Sequence, residues 1–388
     1  MKFLHTADWQ IGMRAAHVGP AGSRVRDERI AAARRVVAAA EEHAAEFIVV
    51  AGDTFEDNAV DRLLVQRVAD ILASFSRSVY VLPGNHDPLC AGSVWDHPAW
   101  LGRPNLVVLR SEAPVRVDGG TLWPCPLRDK LGRADPTACI DPVRLPEHGI
   151  RIGVAHGSID GVSTDDAYYP LPRGAAALRG LDYLAIGHWH SYARIEDGGA
   201  CRMAYSGAHE PTKFGERQSG CALLVQIDAP GATPLLAPLS TGGLRWLQWN
   251  ETIAAAGDLA AVLRRVEAID APGRVLLDLT LVGLLCAADR PALERLKELA
   301  AARLFFHRID DTRLRPAPDD TDWIAALPPG PVRQAAEKLC AWSDPACGDA
   351  ERPADAAIAA AALSELFLLH GVDHSADVPA GDAIAGTA

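Results

Sequence analysis

The chain has no excess of positive charge. Its 38 Lys and Arg stand against 50 Asp and Glu, a formal net charge of -12 over 388 residues. That balance argues against strong non-specific nucleic-acid binding by the chain alone. It leaves DNA open as a substrate, because metal ions and a local arginine cluster can set the field at a site. The eight cysteines (Cys90, Cys125, Cys139, Cys201, Cys221, Cys286, Cys340 and Cys347) form no CxxC pair. Their scatter fits neither a zinc knuckle nor a disulfide framework, and the expectation is reduced thiols. No apolar run reaches the roughly 18 residues of a membrane span. The nearest, Ala354–Leu369, is interrupted by Asp355 and Glu365. The opening Met1-Lys2-Phe3-Leu4 reads as a strand, without the basic and apolar regions of a secretory leader. The expected setting is cytoplasmic, without membrane contact.

One arrangement, in contrast, occurs five times. An apolar β-type run ends and a metal-ligand side chain follows: Lys2–Leu4 before Asp8, Ile48–Ala51 before Asp53, Val79–Leu82 before Asn85-His86-Asp87, Ile152–Ala155 before His156, and Tyr183–Ile186 before His188 and His190. In α/β sheets, ligands bind beyond the carboxyl ends of strands. A lone Asp after a strand is usually a turn residue, and a lone buried His is usually just hydrogen-bonded. Five such strand ends in one chain point instead to a dinuclear metal site on a β scaffold. Helical periodicity over Ser23–Glu46 and Val60–Phe75 separates the first three runs, and this β-α-β-α-β order predicts an α/β architecture.

The chemistry of such a site constrains the roles. Two divalent ions lie about 3.5–4 Å apart, activate a water and neutralise phosphoryl charge. A carboxylate with two oxygens is the natural bridge, and Asp53, after a buried strand and a glycine, fits it. The mixture of imidazole, carboxylate and amide donors suits manganese, iron or zinc better than calcium. His86 is left to donate to the leaving oxygen or to stabilise the transition state, with Asp87 orienting it. Trp9 and Trp189 are expected to pack around the site. The other histidines, His17 and His209 among them, are read as structural or surface residues.

Short strands are expected over Asn105–Pro124, loop over Leu127–His148, and a polar, aromatic loop near the site over Asp160–Pro172. Met203–Ser206 and Cys221–Ile227 read as strands closing the sheet. Pro230–Gly243 is the best linker candidate by composition. Beyond it, Asp258 is a candidate N-cap for a helix through Ile269. Val275–Val282 and Phe305–Leu314 read as strands, with a helix starting at Asp289–Pro291 between them. Two helices are expected near Val332–Trp342 and Ala354–Leu369. The domains read as 1–235 for the site, 244–316 for a small α+β unit, 320–372 for a helical segment, and 373–388 for a disordered tail.

The set Asp8-x-Gln10, Gly52-Asp53, Gly84-Asn85-His86-Asp87, His156-Gly157 and Gly187-His188-Trp189-His190 resembles the calcineurin-like metallophosphoesterase superfamily, over about Met1 to Gly220. Within it, His5-Thr6-Ala7-Asp8-Trp9, Gly52-Asp53-Thr54-Phe55, Tyr205-Ser206-Gly207 and Phe214-Gly215-Glu216 resemble the SbcD-type nucleases of double-strand-break repair. The resemblance implies a four-layer α/β/β/α sandwich, with a small α+β capping domain and C-terminal helices after it. It also implies two divalent ions, most readily Mn2+, with Fe2+ or Zn2+ as alternatives. Asp8, Gln10, Asp53 and His190 would hold one ion. Asp53, Asn85, His156 and His188 would hold the other, with His86 as the catalytic histidine. The family usually has His at the position of Gln10, and an amide oxygen is a weaker donor. Glu56 stands where some relatives carry a His linked to exonuclease action. The implied function is a metal-dependent DNA nuclease, exonuclease or endonuclease, working with an SbcC-like coiled-coil ATPase and forming a homodimer. Ala354–Leu369 is a candidate partner-binding helix, or a helix packed on its own domain. The alternatives are a phosphoesterase acting on a nucleotide or other small phosphodiester, and a non-catalytic DNA-binding subunit.

Overall fold

The alternating signals at the start of the chain become β1 (Lys2–Thr6), α1 (Gly22–Glu42), β2 (Phe47–Ala51), α2 (Arg62–Ala73) and β3 (Ser78–Leu82). The structure, a computed structural model, describes residues 1–145, 148–162, 168–197, 199–317, 321–352 and 355–372. The tail expected over 373–388 lies outside the described residues. Asp61 caps α2, its carboxylate accepting from the Leu63 amide. The chain then forms β4 (Leu106–Val108), β5 (Val115–Val117), β6 (Gly120–Pro124) and β7 (Ile150–His156). After the short α3 (Ala175–Leu178) come β8 (Tyr183–Gly187), β9 (Ala193–Asp197), β10 (Ala200–Tyr205), β11 (Cys221–Gln226) and β12 (Leu235–Ser240).

These strands form two six-stranded sheets, ordered β12-β11-β1-β2-β3-β4 and β5-β6-β7-β8-β10-β9. The strands that precede the site residues run parallel: β1, β2 and β3 in the first sheet, β7 and β8 in the second. The period of two then sorts the side chains. Phe3, Phe47, Val49 and Leu82 face Ile152, Val154, Tyr183 and Ala185 in a core between the sheets. Leu4, Ile48, Val50 and Val81 pack the other face of the first sheet against Ile30, Val36, Val68 and Leu72 of the two long helices. Leu184, Ile186, Met203 and Tyr205 meet Ala175 and Ala176 of α3 on the far face of the second. The result is helix, sheet, sheet, helix, and each fully buried Leu, Ile, Val or Phe contributes roughly 1.5–3 kcal/mol.

Two readings need correction. The strands at Met203 and Cys221 do not close one sheet: β10 belongs to the second and β11 to the first. Leu235–Ser240, inside the expected linker, is the edge strand β12, paired antiparallel with β11. Its Pro238 is tolerated because an edge strand need not donate along both sides.

The chain divides into two compact units, residues 1–247 with 274–276, and residues 248–273 with the described residues from 277 onward. The second unit contains most of a three-stranded sheet of β13 (Arg245–Ile253), β14 (Val275–Leu285) and β15 (Phe306–Pro316). It also contains α4 (Asp258–Glu267) and α5 (Arg290–Arg303), which pack together. Gly257, not Asp258, is the N-cap of α4; the Asp258 carboxylate instead accepts from the amides of Ala254 and Ala255. Three further helices, α6 (Asp322–Ala326), α7 (Pro331–Ser343) and α8 (Ala356–Val372), belong to the same unit. Leu363 and Phe367 of α8 are buried with Trp323, Ile324 and Leu327. Among the described residues no helix is long and apolar enough to cross a membrane. All eight cysteines are free thiols.

Candidate metal centre

The turns that follow β1, β2 and β8 are sharp. Asp8, Gln10, Asp53 and His188 have φ of 55°, 41°, 52° and 109°. A left-handed conformation costs a non-glycine residue roughly 1–2 kcal/mol and persists where surrounding contacts fix it. Two glycines make the close approach feasible. A Cβ on Gly52 would stand 2.2 Å from His156 Nδ1, and one on Gly84 would stand 2.2 Å from Asp53 Oδ1.

The structure brings together the residues singled out by sequence. Asp8, Asp53 and His156 each offer a ligand atom, all within 4.8 Å of one another. His156 donates through Nδ1 to the Ala51 carbonyl (2.9 Å), which leaves Nε2 facing Asn85 Oδ1 at 2.9 Å and Asp53 Oδ2 at 3.3 Å. His188 Nδ1 reaches the same Asn85 oxygen at 3.1 Å. Its backbone amide donates to both Asp8 carboxylate oxygens, at 2.9 and 3.1 Å. Asp53 Oδ1 accepts from the His86 amide at 2.9 Å. The backbone of Gln10 donates to the Asp53 carbonyl at 2.9 Å, and its side chain lines the cleft.

The electrostatics match a cation-binding centre. Asp8 is fully buried, and burial raises its carboxyl above the ordinary range despite the nearby histidines. Burial would also raise Asp53, but the charge and hydrogen bond of His156 hold it well below that range. His156 is raised to about 9: burial opposes protonation, but the charge and hydrogen bond of Asp53, with Asp8 and the Ala51 carbonyl, together outweigh it. His188 is lowered to about 4 by burial and by His156, so its ring is neutral at pH 7. Two buried carboxylates beside neutral or displaceable imidazole protons fit a divalent ion.

His86 also lines the cleft, but Asp87 does not orient it. His86 donates through Nδ1 to the Glu56 carbonyl at 2.9 Å. The Asp87 carboxylate is fully buried and accepts from the amides of Phe55 (2.9 Å) and Gly84 (2.7 Å). Asp87 therefore braces the loop, because an unpaired buried amide is costly. Burial raises its carboxyl to about 7.

Sequence reasoning missed several contributors. His190 Nδ1 lies 2.9 Å from Thr212 Oγ1 and 2.9 Å from Glu216 Oε1. Arg29 is 1% exposed and donates to the carbonyls of Trp9, Glu210 and Pro211, binding the Asp8–Gln10 turn to the 210–211 segment. A helical arginine carries no periodic signal of such a role. The cleft, of about 550 Å³, is also lined by Arg14, His17, Lys130, Tyr168, Trp189 and Lys213. Tyr168 comes from the loop expected near the site, of which residues 163–167 lie outside the described residues. Trp9 is buried and stacked on His209, with ring centroids 4.8 Å apart.

The sequence profile of the calcineurin-like phosphoesterases matches residues 1–192. Over this stretch the chain is similar to the calcineurin-like phosphoesterases. The chain is similar to the uncharacterized metallophosphoesterase YhaO of Bacillus subtilis (strain 168), with 25% identity over 204 residues, covering 49% of this chain and 48% of that protein. It thus spans about half the length of this curated relative. Among solved structures it is similar to TT1561 of Thermus thermophilus, at 11% identity and a TM-score of 0.42, covering 62% of this chain and 98% of that one. The candidate metal site lies within the matched residues and joins the two sheets.

Proposed function

We propose that this chain is a divalent-metal-dependent nuclease that hydrolyses phosphodiester bonds in DNA. The observation that carries the reading is that Asp53, Asn85, His188 and His190 line one cleft with His86, while the buried Asp8 and His156 offer ligand atoms within 4.8 Å of Asp53. Cationic side chains on its walls, Arg14, Lys130 and Lys213, suit a substrate with phosphates flanking the scissile one. Asp8, Gln10, Asp53 and His190 would hold one ion, and Asp53, Asn85, His156 and His188 the other. When bound, two such ions supply Lewis acidity and an activated water. The protein's part is to hold donors and move a proton. The Glu56 carbonyl occupies His86 Nδ1, so Nε2 is the nitrogen left for a substrate oxygen, and it donates in the imidazolium form. Manganese is the ion we propose, because carboxylate and amide oxygens accompany the imidazoles. An ATPase partner of the SbcC kind would find Ile358 and Leu369 of α8 exposed, while Leu363 and Phe367 serve the helix's own core.

The test is hydrolysis by the chelator-treated chain with Mn2+ restored, with linear duplex DNA, single-stranded DNA and a small phosphodiester offered in parallel. Asp53→Asn serves as the blank. We expect Mn2+-dependent loss of DNA that is absent in the variant. Turnover of the small ester alone would replace the nuclease reading with a small-substrate phosphodiesterase. The net charge of -12 favours that second reading.

A further inference from the structure

The histidines of the centre differ in what holds their second nitrogen or fixes the ring. His156 donates to a backbone carbonyl, Ala51, and so does His86, to Glu56. Among the hydrogen bonds to these rings, His190 is the one whose Nδ1 meets a carboxylate, Glu216, at 2.9 Å. That carboxylate is fixed on both oxygens. Its Oε2 accepts from the Thr212 amide at 2.9 Å, and its Oε1 takes a short hydrogen bond from the Thr212 hydroxyl. The Glu216 side chain is only 4% exposed. It is carried by the segment that crosses from β10 in the second sheet to β11 in the first. The same segment is held at Glu210 and Pro211 by the buried Arg29, which also grips the Trp9 carbonyl between Asp8 and Gln10.

We infer that Glu216 is a positioning residue that fixes His190 with Nδ1–H toward its carboxylate and Nε2 free as a strengthened donor for the ion shared with Asp8 and Gln10. The physical reason is polarisation. A carboxylate accepting from one ring nitrogen raises the basicity of the other and fixes the ring plane. The need is local to this half of the centre, where Gln10 can offer only a neutral amide oxygen. Glu216 thus acts where the donor set is weakest, with Thr212 holding the carboxylate in place. The inference rests on the metal-centre reading proposed above, but not on the identity of the substrate.

The experiment is Mn2+ titration of the metal-free full-length chain by calorimetry, comparing wild type, Glu216→Gln, Glu216→Asp, His190→Ala and the double variant Glu216→Gln/His190→Ala. Glutamine keeps the size and hydrogen-bonding capacity while removing the charge. We expect Glu216→Gln to weaken one of two binding events by about 10–100-fold and leave the other within twofold. Glu216→Asp should fall between it and wild type. In the His190→Ala background, Glu216→Gln should have no further effect. Equal affinities in wild type and Glu216→Gln would overturn the inference. So would an undiminished Glu216→Gln effect in the His190→Ala background, which would mean that Glu216 acts through the fold alone. If Glu216→Gln does not fold, Glu216→Asp decides by the same affinity criterion. A chain that binds Mn2+ in the expected pattern but hydrolyses no phosphodiester would end the nuclease reading and leave this inference standing.

Discussion

The two sheets supply different chemistry to one cleft. The first delivers oxygen donors from the ends of β1, β2 and β3: Asp8, Gln10, Asp53 and Asn85. The second delivers imidazoles from β7 and β8: His156, His188 and His190. Neither sheet carries the whole proposed ligand set, so the candidate centre forms only where the sheets pack. Its geometry is therefore set by the apolar core between them, not by any one loop. Phe3 marks the link: it stacks on Phe47 of its own sheet at 4.8 Å and meets Tyr183 of the other edge-on at 5.9 Å.

The strongest way to break this division is at the carboxylate facing both donor sets. Asp53→Asn should lower kcat/KM by roughly 10³-fold, the scale of losing a main electrostatic contributor, and should lower bound metal measured by atomic emission. Full activity in that variant would refute the bridging role. Next comes the packing between the sheets. Phe3→Ala should destabilise the protein by about 3–5 kcal/mol in a denaturant titration and also weaken metal binding, though Phe3 lies outside the ligand set. His86→Ala should reduce turnover by about 10²-fold or more while metal content stays at the wild-type level; metal loss would make His86 a ligand. A smaller effect concerns the segment that crosses between the sheets. Burial raises Glu210 to about 7, against the amides of Gly243 and Leu244 and the charge of Arg29. A carboxyl raised in the folded state favours folding below its ordinary value of 4.5, and that advantage is lost as pH rises to about 7. Melting temperature should therefore fall less between pH 5 and 8 in Glu210→Gln than in wild type. An equal fall in both would exclude Glu210 as the source. Leu63→Ser, on the exposed side of α2 at 78% exposure, should change stability by no more than about 0.5 kcal/mol.

What the sequence disclosed follows the same line. The strand ends were legible because a buried apolar run and a ligand side chain are both local signals. The grouping of Asp8, Asp53 and His156 was legible as a pattern, since strand ends in parallel sheets share one side. Contacts made by loops were not. Glu216 stood out only as part of Phe214-Gly215-Glu216, and nothing in that spacing points to His190. Asp87 follows His86 directly, which suggested a partnership, but the turn sends its carboxylate to the amides of Gly84 and Phe55. The strand at Leu235–Ser240 escaped because Pro, Ala and Ser in an edge strand look like a linker. Its pairing with β11 is a tertiary fact, invisible to composition.

The position of β1 has a consequence for biosynthesis. It lies between β2 and β11, with Lys2 opposite Gln226, and the Asp8 carboxylate meets the His188 amide across 180 residues. A ribosome-bound chain therefore holds Asp8 and Asp53 before His156, His188 and His190 have been made. At roughly 5–20 residues per second, that interval is on the order of ten seconds or more. During it the nascent polypeptide has no finished pocket with which to capture an ion, so metal selection belongs to the completed fold rather than to the emerging chain.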